Sequence, residues 1–349
     1  MTKLEKRKIL VAMSGGVDSS VAALLLKKEG HDLVGAFMKV WSGADGNDPC
    51  WIEDRRDAMR VAAMLGIPLV TLDFEDEYRQ DVVSNLFDEY AAGRTPNPDV
   101  RCNASVKFPL LWREARRLGC EAVATGHYAR VEDDDGRLKL MTGIDPEKDQ
   151  SYFLHRLRQD DLSHTLFPVG HLIKDEVRRI ARDAGFPNAD KRSTRGICFI
   201  GKVDLPEFLA GSVPRKTGKI ATADGKIVGS HSGLAPYTIG QRSGIGVGGG
   251  EPYYVAAKDT MTNTLVVAPA HDPVHETQEI AVDDLHWINK APSLPFRCSA
   301  CIRYHQALQP CLIADNNTVR FDAPQRGVAA GQSVVFYDGE QCLGGGIIR

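Results

Sequence analysis

The chain has 349 residues, 43% of them apolar, and a formal net charge of −3. That length leaves room for two or three domains, and the charge excludes a nucleic-acid binder that is basic over its whole surface. No apolar run approaches a membrane span, and the N-terminal stretch from Lys3 to Lys8 is polar and basic rather than signal-like, so a cytoplasmic protein without membrane contact is expected.

In chain order, the apolar run Ile9-Leu-Val-Ala-Met13 predicts a strand buried on both faces, as in a parallel sheet. The string Ser14-Gly-Gly-Val-Asp-Ser-Ser20 follows, then a helix from Val21 to Lys28 that Ser19 can cap and Gly30 closes. Backbone N–H groups in a glycine turn approach phosphate oxygens closely, and a helix N-terminus adds partial positive charge. Asp18 would stand beside such phosphates, with Mg²⁺ between them. The string lacks the lysine of the Gly-x-x-x-x-Gly-Lys-Ser/Thr loop, and it is not the Gly-x-Gly-x-x-Gly turn. It resembles the loop of ATP pyrophosphatases, which cleave ATP between its α and β phosphates.

Further strands are predicted over Leu33–Val40, Leu69–Phe74 and Ala122–Thr125, and helices over Glu53–Leu65, Tyr78–Ala91 and Ser105–Leu118. This alternation means a parallel sheet covered on both faces, whose ligands bind beyond the carboxyl ends of its strands. Ser14–Asp18, Phe37-Met38 and Thr125-Gly126-His127 then surround one crevice. Seven Lys/Arg lie between Lys174 and Arg195 against four Asp/Glu, a solvated face or a local basic surface. From Lys202 onward, turn signals at Ala223-Asp-Gly225, Thr262-Asn263, Asn316-Asn317 and Asp338-Gly339 separate short alternating runs. They predict two small, mainly antiparallel β modules meeting near His271-Asp-Pro273. Gly244–Gly250 is read as a loop or a close-approach surface.

Two of the eight cysteines stand in unusual settings. Cys102 ends Gly93-Arg-Thr-Pro-Asn-Pro-Asp-Val-Arg-Cys102, where two prolines predict an irregular, extended loop. Cys198 lies in Gly196-Ile-Cys-Phe-Ile-Gly201, after Arg192 and Arg195. Positive neighbours lower a thiol pKa from about 8.5 toward 7. Cys298-Ser-Ala-Cys301 has the spacing of a zinc or redox pair, but a second ligand pair is missing, so it is read as structural.

These strings together resemble the bacterial tRNA-specific 2-thiouridylase family. So do Lys148-Asp-Gln-Ser-Tyr-Phe153, Gly240-Gln-Arg242, Arg303-Tyr304 and Gly331-Gln-Ser-Val-Val-Phe-Tyr337. The resemblance implies an ATP-pyrophosphatase domain over 1–200, a central β domain over 201–272 and a C-terminal β-barrel over 273–349. It implies ATP-dependent conversion of wobble uridine 34 to 2-thiouridine in the tRNAs for Lys, Glu and Gln. A cysteine desulfurase would feed sulfur through a relay protein.

By motif, Ala12, Met13, Ser14, Gly15, Gly16, Val17, Asp18, Ser19, Met38 and Gly126 would hold ATP. Asn97, Pro98 and Asp99 would meet the target base, with Asp99 as general acid/base. Cys102 would be the nucleophile and Cys198 the persulfide carrier, the two forming a transient disulfide. His127, Lys148, Asp149, Gln150, Arg303, Tyr304 and Gln332 would contact tRNA. In this chain Val40, Arg101, Arg195 and Cys301 depart from the family pattern, the last beside Arg303-Tyr304. An amide-forming relative of the same loop family would have no use for two such thiols, and a plain tRNA-binding protein none for the phosphate loop. An iron–sulfur cluster on Cys102, Cys198 and Asp99 is the alternative sulfur chemistry.

Overall fold

A computed structural model describes residues 6–43, 50–191, 205–213, 215–248 and 251–349. Cys198, Arg192 and Arg195 lie outside the described residues.

The first unit alternates β1 (Lys8–Ala12), α1 (Val17–Lys28), β2 (Asp32–Lys39), α2 (Cys50–Leu65) and β3 (Leu69–Asp73). A helical stretch follows as α3 (Glu75–Tyr78), a π-turn and α4 (Ser84–Ala91); a second runs through α5 (Pro98–Cys102), a π-turn (Asn103–Lys107) and α6 (Phe108–Arg117). Next come β4 (Ala122–Ala124), the hairpin β5 (Ala129–Asp134) and β6 (Arg137–Thr142), short helices α7 (Ser151–Leu154) and α8 (Gln159–Ser163), β7 (Thr165–Leu166) and α9 (Lys174–Asp183). Strands β3-β2-β1-β4-β7 make one wholly parallel sheet. Ile9, Leu10 and Val11 are fully buried, and they alternate between two cores. Ile9 and Val11 pack with α1, α2 and α9, Leu10 with the layer of α6 and residues 78–83. Covering both faces is what makes β1 apolar throughout, at about 1.5–3 kcal/mol for each such side chain.

Two of the boundaries that differ from expectation bear on the site. Helix α1 begins at Val17 with Gly16 as its cap residue, so Ser19 lies within its first turn and does not cap it. The prolines of residues 94–102 do not hold an extended loop as far as Cys102. Pro98 occupies the first helical position, where its missing N–H costs nothing, and Asn97 Oδ1 accepts from Val100 N at 3.2 Å. The β5–β6 hairpin was not anticipated, although Asp135-Gly136 carries its signal. Both residues have positive φ, as a two-residue hairpin turn requires.

After α10 (Leu205–Ala210), strands β8 (Gly218–Thr222), β9 (Ile227–His231), β10 (Tyr253–Asp259) and β11 (Thr264–Pro269) form a four-stranded sheet. It is antiparallel except for the parallel β8–β11 pair. The last six strands are β12 (Glu276–Trp287), β13 (Phe296–Cys301), β14 (Gln309–Ile313), β15 (Thr318–Arg326), β16 (Ser333–Asp338) and β17 (Gln341–Ile348). They close into a barrel because β12 pairs with both β15 and β17, and closure removes open edges. Hairpin β5–β6 extends this sheet through β6–β17, tying the barrel to the first unit. Phe108, Leu140, Tyr152, Cys301 and Tyr337 share the core between them.

Candidate active site

The sheet order changes direction between β1 and β4, and a crevice beyond the carboxyl ends of strands at such a point is where open α/β sheets take ligands. Residues 13–19 leave β1 on one side, and Thr125-Gly126-His127 leave β4 on the other. Gly15 has φ +78, and a Cβ there would lie 2.1 Å from the Asp54 carbonyl oxygen, so only glycine fits. A Cβ on Gly126 would lie 2.6 Å from Ser19 N, so the two sides of the crevice touch at backbone level. Ser19 Oγ accepts from Ser14 N (3.2 Å) and donates to Gly16 O (3.1 Å), fixing the turn. The first amides of α1 have no partner within the helix. Ala12 and Met38 stand at the ends of β1 and β2, with the Met38 and Met13 side chains in the core.

Two bracing residues escaped the sequence reading. Asn188, buried, donates to Gly15 O and Ser20 Oγ, both at 2.9 Å. Lys174 Nζ lies 2.6 and 2.7 Å from the Asp18 carboxylate oxygens, and the Tyr128 hydroxyl donates to the same carboxylate at 2.7 Å. Burial and then the Asp18 charge push the Tyr128 phenol far up, which keeps it a donor. Lys174 therefore belongs to this crevice and not to a solvated basic face. The only sequence signal was its place at the start of an amphipathic helix. An ammonium and a hydroxyl on one carboxylate suit an ion pair and do not fit a dedicated Mg²⁺ ligand. Among the described residues, no cluster of three or more His, Cys, Asp or Glu could hold a metal ion.

On the other side of β4, Thr125 Oγ1 meets His127 Nδ1 at 2.7 Å, and Lys107 Nζ lies 3.4 Å from Nε2. Burial, then the Lys107 charge, hold His127 well below its ordinary pKa. An ammonium only donates, so Nε2 accepts and the ring proton is assigned to Nδ1.

Asp99 and Cys102 lie three residues apart on α5, on one helical face. Cys102 is fully buried, packed in the core with Val106 and Leu111. That departs from the polar loop expected for it. Arg101, which was to lower its pKa, turns outward and donates to Asp81 O at 3.3 Å. The π-turn after Cys102 brings Asn103 Nδ2 to Phe153 O at 3.1 Å. Phe153 packs on Tyr304, ring centroids 4.5 Å apart.

The residues expected to contact tRNA divide by environment. Lys148 is half-buried and Arg303 exposed, with Arg303 Nη1 3.4 Å from Arg326 O. Asp149 accepts from Gly143 N, Ser151 N and Ser151 Oγ. Gln150 Oε1 accepts from Tyr128 N at 3.0 Å. Gln332 Nε2 donates to Thr95 O and Pro96 O. Cys298 and Cys301 do not form a pair: three positions apart on a strand they face opposite sides. Cys298 lies 3.7 Å from Cys311 across the ladder, and Cys301 faces the barrel–catalytic core.

The chain is similar over nearly its whole length to curated proteins. It is 49% identical to the tRNA-specific 2-thiouridylase MnmA 2 of Geobacillus kaustophilus, covering 98% of this chain and 94% of that one. It is 48% identical to the MnmA of Burkholderia pseudomallei, over 99% of this chain and 94% of the relative. The chain belongs to the tRNA-specific 2-thiouridylase family. Three family models divide the 2-thiouridylase chain in sequence. They are a tRNA methyl transferase HUP domain over residues 7–202, a tRNA methyl transferase PRC-barrel domain over 206–269, and an aminomethyltransferase beta-barrel domain over 277–348. No helix among the described residues is long and apolar enough to cross a membrane.

Proposed function

We propose that this chain carries out the family's reaction, tRNA 2-thiouridylation, by adenylating the C2 oxygen of wobble uridine 34 in the tRNAs for Lys, Glu and Gln and then replacing that oxygen with sulfur. The observation that carries the reading is the glycine turn at Gly15 facing Gly126 across the β1/β4 crevice, in one unit with the helix bearing Asp99 and Cys102.

ATP is the co-substrate, its phosphates on the turn and the first amides of α1. The uracil C2 oxygen attacks the α phosphorus, pyrophosphate leaves, and Asp99 takes the N3 proton. The N–H donors of the turn stabilise charge on the departing phosphates. A divalent cation would add charge neutralisation there, beside the Asp18–Lys174 ion pair.

A persulfide on Cys198, supplied by a cysteine desulfurase through a relay protein, attacks C2 with its outer sulfur and displaces AMP. The Cys102 thiolate then attacks the inner sulfur. That forms the Cys102–Cys198 disulfide and leaves the outer sulfur on C2; an external thiol reductant restores both cysteines. Asn97–Asp99 face the flipped base, and burial of Cys102 keeps water from the activated carbon.

The test is incubation with ATP, Mg²⁺, a labelled persulfide donor and unmodified tRNA. Cys102→Ser and Cys198→Ser are expected to release pyrophosphate and make no 2-thiouridine, and label is expected on the variant that retains Cys198. Normal thiolation by either variant sinks the assignment of that thiol.

A further inference from the structure

Residues 94–97, which lead into α5, are held chiefly by the barrel. Thr95 N donates to Ala330 O at 2.8 Å. Gln332 Nε2 donates to Thr95 O at 2.8 Å and Pro96 O at 3.1 Å. Gly331 passes so close, at φ +91, that a Cβ would stand 3.0 Å from the Thr95 carbonyl. Thr95 and Pro96 are buried, so these carbonyls gain little from water, and an unmet buried carbonyl is costly. On the catalytic side, Arg94 makes a two-pronged ion pair with Glu89, both contacts 2.5 Å. Asn97 caps α5. The segment is thus pinned at successive residues, and the next ones are the base-facing Asn97–Asp99 and then Cys102.

We propose that Gln332, with Ala330 and Gly331, is a latch by which the barrel sets the position of Asp99 and Cys102, and that Gln332 is a positioning residue for both chemical steps. The amide of Gln332 presents two N–H donors, and two carbonyls from consecutive residues take them. Its two amide N–H donors are spent on protein backbone. The barrel then does more than hold RNA: its β15–β16 turn fixes the entry to the catalytic helix.

The inference rests on the assignment of Asp99 and Cys102, and the two fail separately. If that assignment is wrong, Asp99→Asn and Cys102→Ser thiolate normally, whatever Gln332 does. The latch itself is tested with Gln332→Met, equal in length without the donors, and with Gly331→Ala, which pushes on Thr95 from the backbone side. Single-turnover 2-thiouridine formation is measured at saturating tRNA and ATP, alongside tRNA Kd, ATP KM and the melting temperature.

Both variants are expected to lose about tenfold to a hundredfold in the saturated rate, with tRNA Kd and ATP KM within about twofold. Gln332→Asn, a donor on a shorter arm, is expected to recover part of the rate. A tenfold rise in tRNA Kd with a normal saturated rate overturns the latch and makes Gln332 a tRNA contact. An unchanged rate and Kd in Gln332→Met overturns it as well. Should Gln332→Met melt early, the same rate-against-Kd comparison in Gln332→Asn decides.

Discussion

The phosphate crevice and the entry to α5 are braced from different places. Around the crevice, every identified brace comes from the parallel-sheet unit: Ser19 on Ser14, Gly126 against α1, Asn188 on Gly15, Lys174 and Tyr128 on Asp18. Residues 94–97 take three hydrogen bonds from the barrel, more than two hundred positions away in the chain. On the proposed reading, nucleotide binding is built into the first unit, whereas the geometry of the base and sulfur chemistry depends on the barrel being docked. Damage to the crevice should show in ATP KM and pyrophosphate release, and damage to the entry of α5 in the rate of both chemical steps at unchanged ATP KM.

The largest effect expected is from Gly15→Ala, whose Cβ would meet the Asp54 carbonyl at 2.1 Å in a left-handed backbone. Pyrophosphate release should fall by at least about a hundredfold, with tRNA affinity within a few fold. Near-normal pyrophosphate release would mean that this turn does not hold the phosphates.

Next is Lys174→Met, which among the described residues leaves Asp18 with only the Tyr128 hydroxyl as a side-chain partner for its carboxylate. Breaking a fully buried pair costs about 3–5 kcal/mol. The partial exposure of the Asp18 side chain, 28%, brings this nearer about 2 kcal/mol. The melting temperature should drop by several degrees and ATP KM should rise, while Gln332→Met leaves ATP KM alone. Equal ATP KM values in the two variants would erase the contrast between the regions.

A pH titration probes the docked face from inside. His155 is fully buried; its Nδ1 lies 2.8 Å from Tyr152 O, and a Cβ on Gly345 of β17 would stand 3.2 Å from Nε2. Burial pushes its pKa down to about 3 from 6.5. The unfolded chain thus binds a proton between those values that the folded one refuses, so stability falls as pH drops below about 6.5. His155→Gln keeps a donor for Tyr152 O and does not titrate. Its melting temperature should fall less steeply between pH 6.5 and 5 than that of the parent chain. Parallel profiles would place the acid sensitivity elsewhere.

The smallest effect concerns the arginines of α9. Arg182 is paired with Asp190, and Lys174 is buried on Asp18, which leaves the half-buried Arg178 and the exposed Arg179 as candidates to meet tRNA phosphates. Replacing both with Gln should lower the log–log salt slope of tRNA affinity by up to about one unit per lost contact. An unchanged slope would make this a solvated face only.

The parallel sheet and the phosphate turn were legible in the sequence because their determinants are local. An apolar run buried on both faces and a glycine in a left-handed turn need only a few adjacent residues, although α1 starts at Val17 and not, as expected, at Val21. The four turn signals of the second half likewise fall between paired strands. Other features were not local. Cys102 looked loop-borne beside two prolines, yet Pro98 suits a helix start and the thiol meets a core assembled from distant strands and helices. Lys174 read as one cation in a basic run, because nothing in its neighbourhood announces Asp18, 156 positions earlier. Asn188 and Gln332 carry no motif for what they brace, since Gln332 donates to two backbone carbonyls and Asn188 to one and to a serine hydroxyl far away in sequence. Cys298 and Cys301 had the spacing of a site, and strand geometry turned them to opposite faces. The sequence alone determined the strand–turn–helix unit, because backbone conformation and local burial pattern are encoded within a few positions. Only the tertiary structure decided which carboxylate met which ammonium and which loop the barrel would hold, because those contacts join segments that only folding brings together.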